Sequence, residues 1–161
     1  MNKRWIIEDV KTEKNMNNIC PVIQKILCKR GIQYKKEIVE FLQGDLTDLY
    51  DPFLFCDMEC TVKRIKKAIN NRENVIVYGD YDVDGITSTA LLYNYLRDNY
   101  DFEIDYYLPD REKEGYGLNI NALKDIVDNY DLLITVDCGI TACKEVEFAR
   151  EYGLDVIITD H

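Results

Sequence analysis

Acidic residues recur at four places in the second half of this sequence, each time directly after a run of apolar residues. Carboxylates gathered at one place repel one another, and each raises the pKa of its neighbours unless cations offset the charge. A single Asp-x-Asp pair is more often a turn or a helix cap, but its recurrence favours a shared metal site. The acidic positions, with the histidine that follows the last of them, are Asp80, Asp82, Asp84, Asp110, Asp137, Asp160 and His161.

Carboxylates combined with an imidazole favour Mn²⁺ over Mg²⁺, because nitrogen ligation suits the later metal better. Two divalent ions would offset this concentration of negative charge. A pair of ions about 4 Å apart promotes displacement at phosphorus, with a bridging hydroxide as the nucleophile. These residue types therefore predict metal-assisted hydrolysis of a phosphate ester.

The apolar runs before these acids are short and rich in β-branched residues, which is typical of buried strands. They alternate with stretches of helical periodicity, and this alternation predicts βαβ units in a parallel sheet. Ligands of such sheets bind outside the carboxyl ends of the strands, so we expect the acids to share one edge. The predicted strands are 75–78, 103–108, 132–136 and 155–159, and the predicted helices between them are 86–100, 119–130 and 141–152.

The first 72 residues place their apolar side chains mostly at helical spacing, with helices predicted at 17–30, 35–42 and 58–71. We therefore divide the chain into two parts. A short α-helical region covers 1–72, and an α/β domain with a parallel β-sheet and βαβ crossovers covers 73–161.

The composition, 161 residues with 47% hydrophobic and 31% charged side chains, is typical of a globular protein rather than a disordered one. No apolar run approaches the ~18 residues that a membrane span requires, and the N-terminus lacks the apolar core of a signal peptide. We therefore expect a cytoplasmic protein that makes no membrane contact. The six cysteines include no Cys-x-x-Cys pair, so we interpret them as reduced thiols rather than zinc ligands.

The net charge of −10 is uneven, because residues 101–161 hold 15 acidic and 5 basic side chains while residues 1–100 sum to zero. Such an acidic protein does not bind nucleic acid through its overall charge, so binding would need a local basic patch or metal ions. One predicted helix offers a basic cluster, which is either a solvated surface or a contact for nucleic-acid phosphates. Its members are Lys63, Arg64, Lys66, Lys67 and Arg72.

Five segments carry a resemblance to known proteins. They are 77–87 (VYGDYDVDGIT), 106–111 (YYLPDR), 114–117 (EGYG), 136–140 (VDCGI) and 159–161 (TDH). In this order they resemble the DHH phosphoesterase superfamily, and within it the RecJ family of single-stranded-DNA-specific 5′→3′ exonucleases. The helical region resembles the same family, so the resemblance covers nearly the whole chain.

The resemblance implies a role for each acidic position. Asp82 and Asp84 correspond to paired metal-binding aspartates, and Asp137 corresponds to an aspartate that bridges two metal ions. Asp160 and His161 correspond to the first two letters of the Asp-His-His signature, as metal ligands. The residues implied in catalysis are Asp82, Asp84, Asp137 and His161.

Two further positions lie in the same motifs. Asp80 belongs to the first motif, but its role is uncertain. Arg111 corresponds to a basic residue near the substrate phosphate, and a surface ion pair with Glu112 or Glu114 is the alternative for this residue.

The resemblance implies more chain than this sequence contains, because the last residue is the first histidine of the signature. The family continues with a second histidine, a later aspartate ligand, a second phosphoesterase domain and an oligonucleotide-binding fold. We therefore expect a fragment of a longer enzyme that uses two Mn²⁺ ions, with Mg²⁺ as a substitute, on single-stranded DNA in DNA repair and recombination. The fragment alone is expected to fold without hydrolysing DNA.

Three alternatives remain open at this point. Another DHH phosphodiesterase, acting on nanoRNA, a cyclic dinucleotide or pyrophosphate, would use the same motifs. The segment from Asp82 to Gly85 also resembles the haloacid-dehalogenase phosphatases, with Asp82 as the nucleophile, but that interpretation leaves Asp137 and Asp160 unexplained. Finally, the chain is alternatively a folded remnant that binds a metal or a protein partner without catalysis.

Overall fold

The computed structural model describes residues 19–160 and divides between residues 54 and 55 into two compact units. Within the described residues, no helix is both long enough and apolar enough to cross a membrane.

The described part of the first unit, residues 19–54, contains two short helices and two 3₁₀ turns. They are α1 (Pro21–Lys29), α2 (Lys35–Gln43) and the turns Leu46–Asp48 and Pro52–Leu54. Leu27 of α1 and Ile38 of α2 are buried against each other, with Ile19 and Ile32 packed around them. The helices predicted at 17–30 and 35–42 are therefore present, although residues 17 and 18 lie outside the described part of the chain.

The second unit alternates helices with four strands. Its elements are α3 (Met58–Asn71), β1 (Val75–Tyr78), α4 (Val83–Asn99), β2 (Ile104–Tyr107), α5 (Ile120–Ile126), β3 (Leu132–Val136), α6 (Cys143–Glu151) and β4 (Asp155–Thr159). All pairings are parallel, and the strand order is β2-β1-β3-β4. The predicted α/β class with a parallel sheet is confirmed.

Helices cover both faces of this sheet, which explains why every position of its central strands is buried and nearly every one is apolar. Val75 and Val77 face α3 and α4, in a layer that includes Leu96. Ile76 and Tyr78 face the other way, toward α5 and α6, in a layer that includes Leu123. Alternate residues of β1 thus enter two different cores, so the whole strand is buried.

Several boundaries differ from the predicted ones, such as the end of α5 at Ile126 rather than 130, and two of them affect the acidic motif and the division of the chain. Helix α4 begins at Val83 rather than 86, because Asp82 caps it and thereby draws the acidic motif into the first turn. Helix α3 belongs to the second unit, since Ala68 is buried in the core layer over β1 with Ile65 and Ile69 beside it. The division of the chain between the two compact units therefore comes before α3, whereas the predicted division, between 72 and 73, comes after it.

Candidate metal centre at the strand ends

The candidate site lies where the direction of the crossovers changes. β2 and β3 pair with opposite sides of β1, so the loops that leave β1 and β3 diverge. In open α/β sheets this reversal leaves a crevice outside the carboxyl ends of the strands, and ligands bind there. Asp80 follows β1 and Asp137 follows β3, so both loops that border the crevice carry an aspartate.

Asp80 is the only carboxylic acid among residues 19–160 that is fully buried. Neither of its carboxylate oxygens has a hydrogen-bond partner among these described residues. An ion buried without compensation costs several kcal/mol. The backbone nevertheless leaves it little freedom, because a Cβ at Gly85 would collide with the backbone of Asp80. The loop after β1 therefore places a buried carboxyl group at the sheet edge.

The first turns of α4 fix the rest of this loop. The Asp82 side chain accepts the backbone N–H of Gly85 at 3.0 Å, as an N-cap. The Thr89 hydroxyl is buried and donates to the carbonyl of Gly85 at 2.7 Å. A Cβ at Gly79 would collide with that hydroxyl, so the loop and the helix approach closely only because residue 79 is glycine. Asp84, in the first turn, is exposed.

The loops after β3 and β4 are tied to each other. The backbone N–H of Asp137 donates to the carbonyl of Thr159 at 2.9 Å, which extends the ladder between the two strands. Asp137 itself has a φ of 58°, a left-handed conformation that costs about 1–3 kcal/mol outside glycine. The carboxylate of Asp160 accepts the backbone N–H of Ile140 at 2.8 Å. Both aspartates are therefore held by backbone contacts.

A cavity of about 230 Å³ opens between these loops. Its lining residues are Asp84, Ser88, Asp137, Thr159 and Asp160. Acids from the loops after β1, β3 and β4 thus line one space. Since a water molecule occupies about 30 Å³ in the liquid, the cavity has room for hydrated cations.

Asp80 belongs to the same charged region. Burial raises the pKa of the Cys138 thiol to about 12, and the charges of Asp80, Asp160 and Asp137 raise it as well. The pKa of Tyr116 is also raised, first by burial and then by the same three carboxylates. The fields of the three acids therefore converge on Cys138 and Tyr116.

The structure does not bring every acidic position together. The Asp110 carboxylate turns into its own loop, where it pairs with Lys113 at 3.1 Å and accepts the backbone N–H of Glu112 at 2.9 Å. The hydrogen bond from Lys113 lowers the pKa of this carboxyl. His161 lies outside the described residues. Among residues 19–160, no group of three acidic, cysteine or histidine side chains is arranged as a ready set of ligands for one ion.

The donor chemistry still fits a divalent cation. Mn²⁺ and Mg²⁺ take carboxylate oxygens as ligands, and the cavity lining provides three carboxylates, those of Asp84, Asp137 and Asp160. The two oxygens of Asp80 have no hydrogen-bond partner within residues 19–160, and a nearby cation offsets a buried negative charge. We therefore regard the strand ends as able to hold a divalent metal.

Arg111 lies above an aromatic ring at this edge. Its guanidinium carbon is 5.5 Å from the centroid of the Tyr81 ring, and Tyr81 meets Tyr116 edge-on at 6.2 Å. Within the described part of the chain, Arg111 forms no ion pair with Glu112 or Glu114. The surface ion pair that was the alternative role for Arg111 is therefore absent from the described structure.

The contacts of three residues in this region were not predicted from the sequence. Thr89 buttresses the loop after β1, Tyr116 lies beside the acids, and Glu114 anchors the loop that carries Arg111. Tyr116 and Glu114 belong to the segment 114–117, which the resemblance includes. The resemblance therefore pointed to both residues as part of a family motif, but it did not indicate what they contact.

The basic cluster of α3 is largely paired with acids. The Arg64 guanidinium is 18% exposed and contacts Glu73 at 2.7 Å and Asp155 at 2.6 Å. Arg72 pairs with Asp101 at 2.7 Å, and Lys63 pairs with a glutamate one turn earlier at 2.8 Å. Three of the five cations thus have acidic partners, which favours a structural and solvated surface over a phosphate contact.

Residues 74–161 match the family model described as "DHH family, N-terminal domain". This match covers more than half of the chain, so the chain belongs to the DHH family. Family membership confirms the resemblance inferred from the motifs and decides against the haloacid-dehalogenase alternative.

Relatives within the family are more specific. The chain is 42% identical to the single-stranded-DNA-specific exonuclease RecJ of Bacillus subtilis (strain 168), over 98% of this chain and 21% of the relative. A crystal structure of exonuclease RecJ bound to manganese matches with a TM-score of 0.58 and 36% identity, over 62% of this chain and 26% of that one. RecJ from Thermus thermophilus in complex with Mn²⁺ matches with a TM-score of 0.61 and 28% identity, over 84% of this chain and 18% of that one. The chain spans about a fifth of the length of the curated relatives it matches.

Proposed function

We propose that this chain is the N-terminal portion of a metal-dependent exonuclease that hydrolyses single-stranded DNA in the 5′→3′ direction. The observation that carries the proposal is the cavity in which acids from the loops after three parallel strands meet. Similarity over nearly the whole chain to a single-stranded-DNA-specific exonuclease supports the substrate class. Because the chain spans about a fifth of that relative, the activity is proposed for a longer protein, acting in DNA repair and recombination in the cytoplasm.

We assign metal binding to residues from the three loops, with Mn²⁺ as the cofactor, Mg²⁺ as a substitute and two ions in the intact enzyme. When bound, such ions supply a nucleophile at neutral pH and offset the charge that develops on a phosphate. The proposed ligands are Asp82, Asp84, Asp137, Asp160 and His161. The manganese in two similar structures supports the choice of metal.

The protein's own contribution is to fix these carboxylates before any ligand arrives. Asp82 is held by its capping bond to the backbone of α4, and Asp160 by its bond to the loop after β3. Asp137 is placed by the last bond of the β3–β4 ladder. Preorganised charges of this kind cost little reorganisation during a reaction. Asp80, buried behind them, adds a negative charge that favours cations at the edge.

Arg111 is the residue that we assign to the substrate phosphate. A guanidinium presents paired N–H donors that match two phosphate oxygens, and the face of Tyr81 supports its plane at 5.5 Å. Its side chain is exposed and has no carboxylate partner among the described residues, so its donors are available to a phosphate. We propose that it orients the DNA backbone relative to the acidic edge.

Metal binding is tested on the 161-residue chain by titrating Mn²⁺ and following both calorimetric heat and the melting temperature. We expect a saturable rise in melting temperature, and at least about tenfold weaker binding in D84A and D137A. D128A is the matched control, because this exposed aspartate precedes β3 at the opposite edge of the sheet. An equal Mn²⁺ response in all four proteins would overturn the metal assignment.

Catalysis is tested by replacing the matching fifth of the B. subtilis relative with this chain. The folded chimaera should release nucleotides from the 5′ end of single-stranded DNA in Mn²⁺, and D137A should abolish this release. The isolated chain should show hydrolysis at background. A folded chimaera that binds Mn²⁺ yet leaves single-stranded DNA intact would refute the proposed activity for this sequence.

A further inference from the structure

One carboxylate organises the segment 109–119, which connects β2 to α5. Glu114 accepts the Tyr107 hydroxyl through Oε2 at 2.6 Å and the backbone N–H of Asp110 through Oε1 at 2.8 Å. The Asn119 amide lies 3.4 Å from Oε2. These contacts lower the pKa of Glu114, chiefly through the bond from Tyr107. A single side chain thus joins the end of β2 to both ends of the segment.

Tyr78 of β1 completes the network from beneath. Its buried hydroxyl donates to the carbonyl of Gly117 at 3.0 Å and accepts from the Asn119 amide at 3.2 Å. Its ring stacks on Tyr107 with 5.1 Å between centroids. Asn119 also caps α5 by accepting the backbone N–H of Ala122 at 2.8 Å. The end of the segment is therefore fastened to the sheet independently of Glu114, whereas its beginning depends on Glu114.

The segment presents two side chains to the acidic edge. Arg111 and Tyr116 lie on either side of Glu114 in the sequence, and both contact the ring of Tyr81. Tyr81 stands between Asp80 and Asp82 in the first acidic motif. Residues 109–118 form no helix or strand, and the backbone N–H groups of Lys113 and Glu114 close a local turn on the carbonyl of Asp110. Side-chain contacts attach this turn to β2 and to Tyr81.

We infer that Glu114 is a positioning residue whose carboxylate holds the segment 109–119 against β2, so that Arg111 stays over Tyr81 at the acidic edge. The inference rests on the proposed function for its consequence, because Arg111 is there assigned to the DNA phosphate. Without Glu114, the hydroxyl of Tyr107 and the backbone N–H of Asp110 lose a common acceptor. The beginning of the segment, with Arg111, is then released, while the end stays fastened through Tyr78.

The chemistry of the network distinguishes two substitutions. E114A removes both acceptors. E114Q retains the amide oxygen for the backbone N–H of Asp110, and its NH₂ group donates to the Tyr107 hydroxyl, which accepts as well as donates. Glutamine should therefore rescue the arrangement and alanine should not. E112A is the matched control, because it removes the same charge from the same segment without touching the network.

The first measurement is hydrogen–deuterium exchange on the 161-residue chain, which needs neither metal nor DNA. E114A should speed exchange in residues 109–114 by tenfold or more, with little change in β1 to β4, because local opening costs less than global unfolding. E114Q and E112A should exchange like the wild type. Unchanged exchange in E114A, or an increase spread over the whole sheet, would overturn the positioning role.

The second measurement is binding of a 5′-phosphorylated oligothymidylate in Mn²⁺, followed by fluorescence anisotropy. We expect E114A and R111A each to weaken binding about fivefold. Each should also reduce the slope of log affinity against log salt concentration by about 0.7. The double variant should bind like R111A. Additive losses would contradict the inference. If the wild type does not bind the oligonucleotide, the proposed DNA contact of this chain is wrong, and the exchange experiment alone decides the role of Glu114.

Discussion

Replacing Asp80 by asparagine should stabilise the metal-free chain. Asp80 is fully buried, and in the part of the chain that the structure describes neither oxygen has a hydrogen-bond partner. An uncompensated buried ion costs several kcal/mol, whereas an unpaired buried amide costs about 1–3 kcal/mol. The isosteric change removes the charge and keeps the volume, so we expect a gain of about 2 kcal/mol. For a unit of about 100 residues this corresponds to a rise in melting temperature of roughly 8 °C.

The same change should remove much of the benefit of Mn²⁺. The wild type should gain about 2.7 kcal/mol at a metal concentration a hundredfold above the dissociation constant, and D80N should gain less. Melting temperatures are measured in chelator and in Mn²⁺, with the exposed Asp128 changed to asparagine as the control, for which less than 0.5 kcal/mol is expected. A D80N variant that melts below the wild type in chelator would refute the reasoning.

Three further changes test other parts of the fold. R64M should lower the free energy of unfolding by about 1–3 kcal/mol in urea denaturation, because it leaves the half-buried Glu73 without its cation. Adding E73Q to the same chain should recover part of the loss. Equal stability of R64M and the wild type would contradict this. G79A should lower the stability by about 1–3 kcal/mol in thermal melts, because the new Cβ collides with Thr89 and lies 2.9 Å from the carbonyl oxygen of Gly85. An unchanged melting temperature would show that the loop after β1 has room for a side chain at residue 79. Burial and the hydrogen bond to Glu114 raise the pKa of Tyr107 to about 12, above its ordinary value near 10. The stability that the protonated Tyr107 hydroxyl contributes to the fold is therefore complete below pH 10 and is lost between pH 10 and pH 12. Y107F should flatten the stability curve in that window, and identical curves for the two proteins would contradict the assignment.

The sheet could be predicted because its central strands leave a simple pattern. β1 and β3 are buried on both faces, so they are almost continuous apolar runs, interrupted by the polar Thr135. The start of α4 could not be placed as well, since Asp82 serves both as a helix cap and as part of the acidic motif. Helix α3 looked like part of the N-terminal region, and only its packing against β1 shows that it belongs with the sheet.

The candidate site was predictable as a set of residue types but not as an arrangement. Asp80, Asp82 and Asp84 look alike in the sequence, yet Asp80 is buried and the other two are exposed. Burial at a strand end depends on how closely α4 approaches the loop, which involves Gly79 and Thr89. The metal-binding and catalytic roles of these residues stay predictions.

Arg64 could not have been interpreted correctly from local sequence. Its neighbours in the chain are basic, so a solvated surface and a contact for phosphates were the two alternatives. Its partner Asp155 is 91 residues away at the start of β4. Only the folded sheet brings the two side chains together, so no pattern within α3 indicates the ion pair.

The strand order has a consequence for the kinetics of folding. β1 and β2 pair across one helix, but β3 and β4 then add on the other side of β1. Each of these additions brings another aspartate to the same edge, so like-charge repulsion grows with every strand that docks. Loop closure slows pairing between distant segments, and Val75 of β1 pairs with Leu132 of β3 across a longer stretch of chain than with Ile104 of β2. We therefore expect the pairing of β3 with β1 to be the slow part of assembly. Refolding in buffers of increasing ionic strength screens the repulsion and should accelerate that step, with little effect on the pairing of β1 and β2.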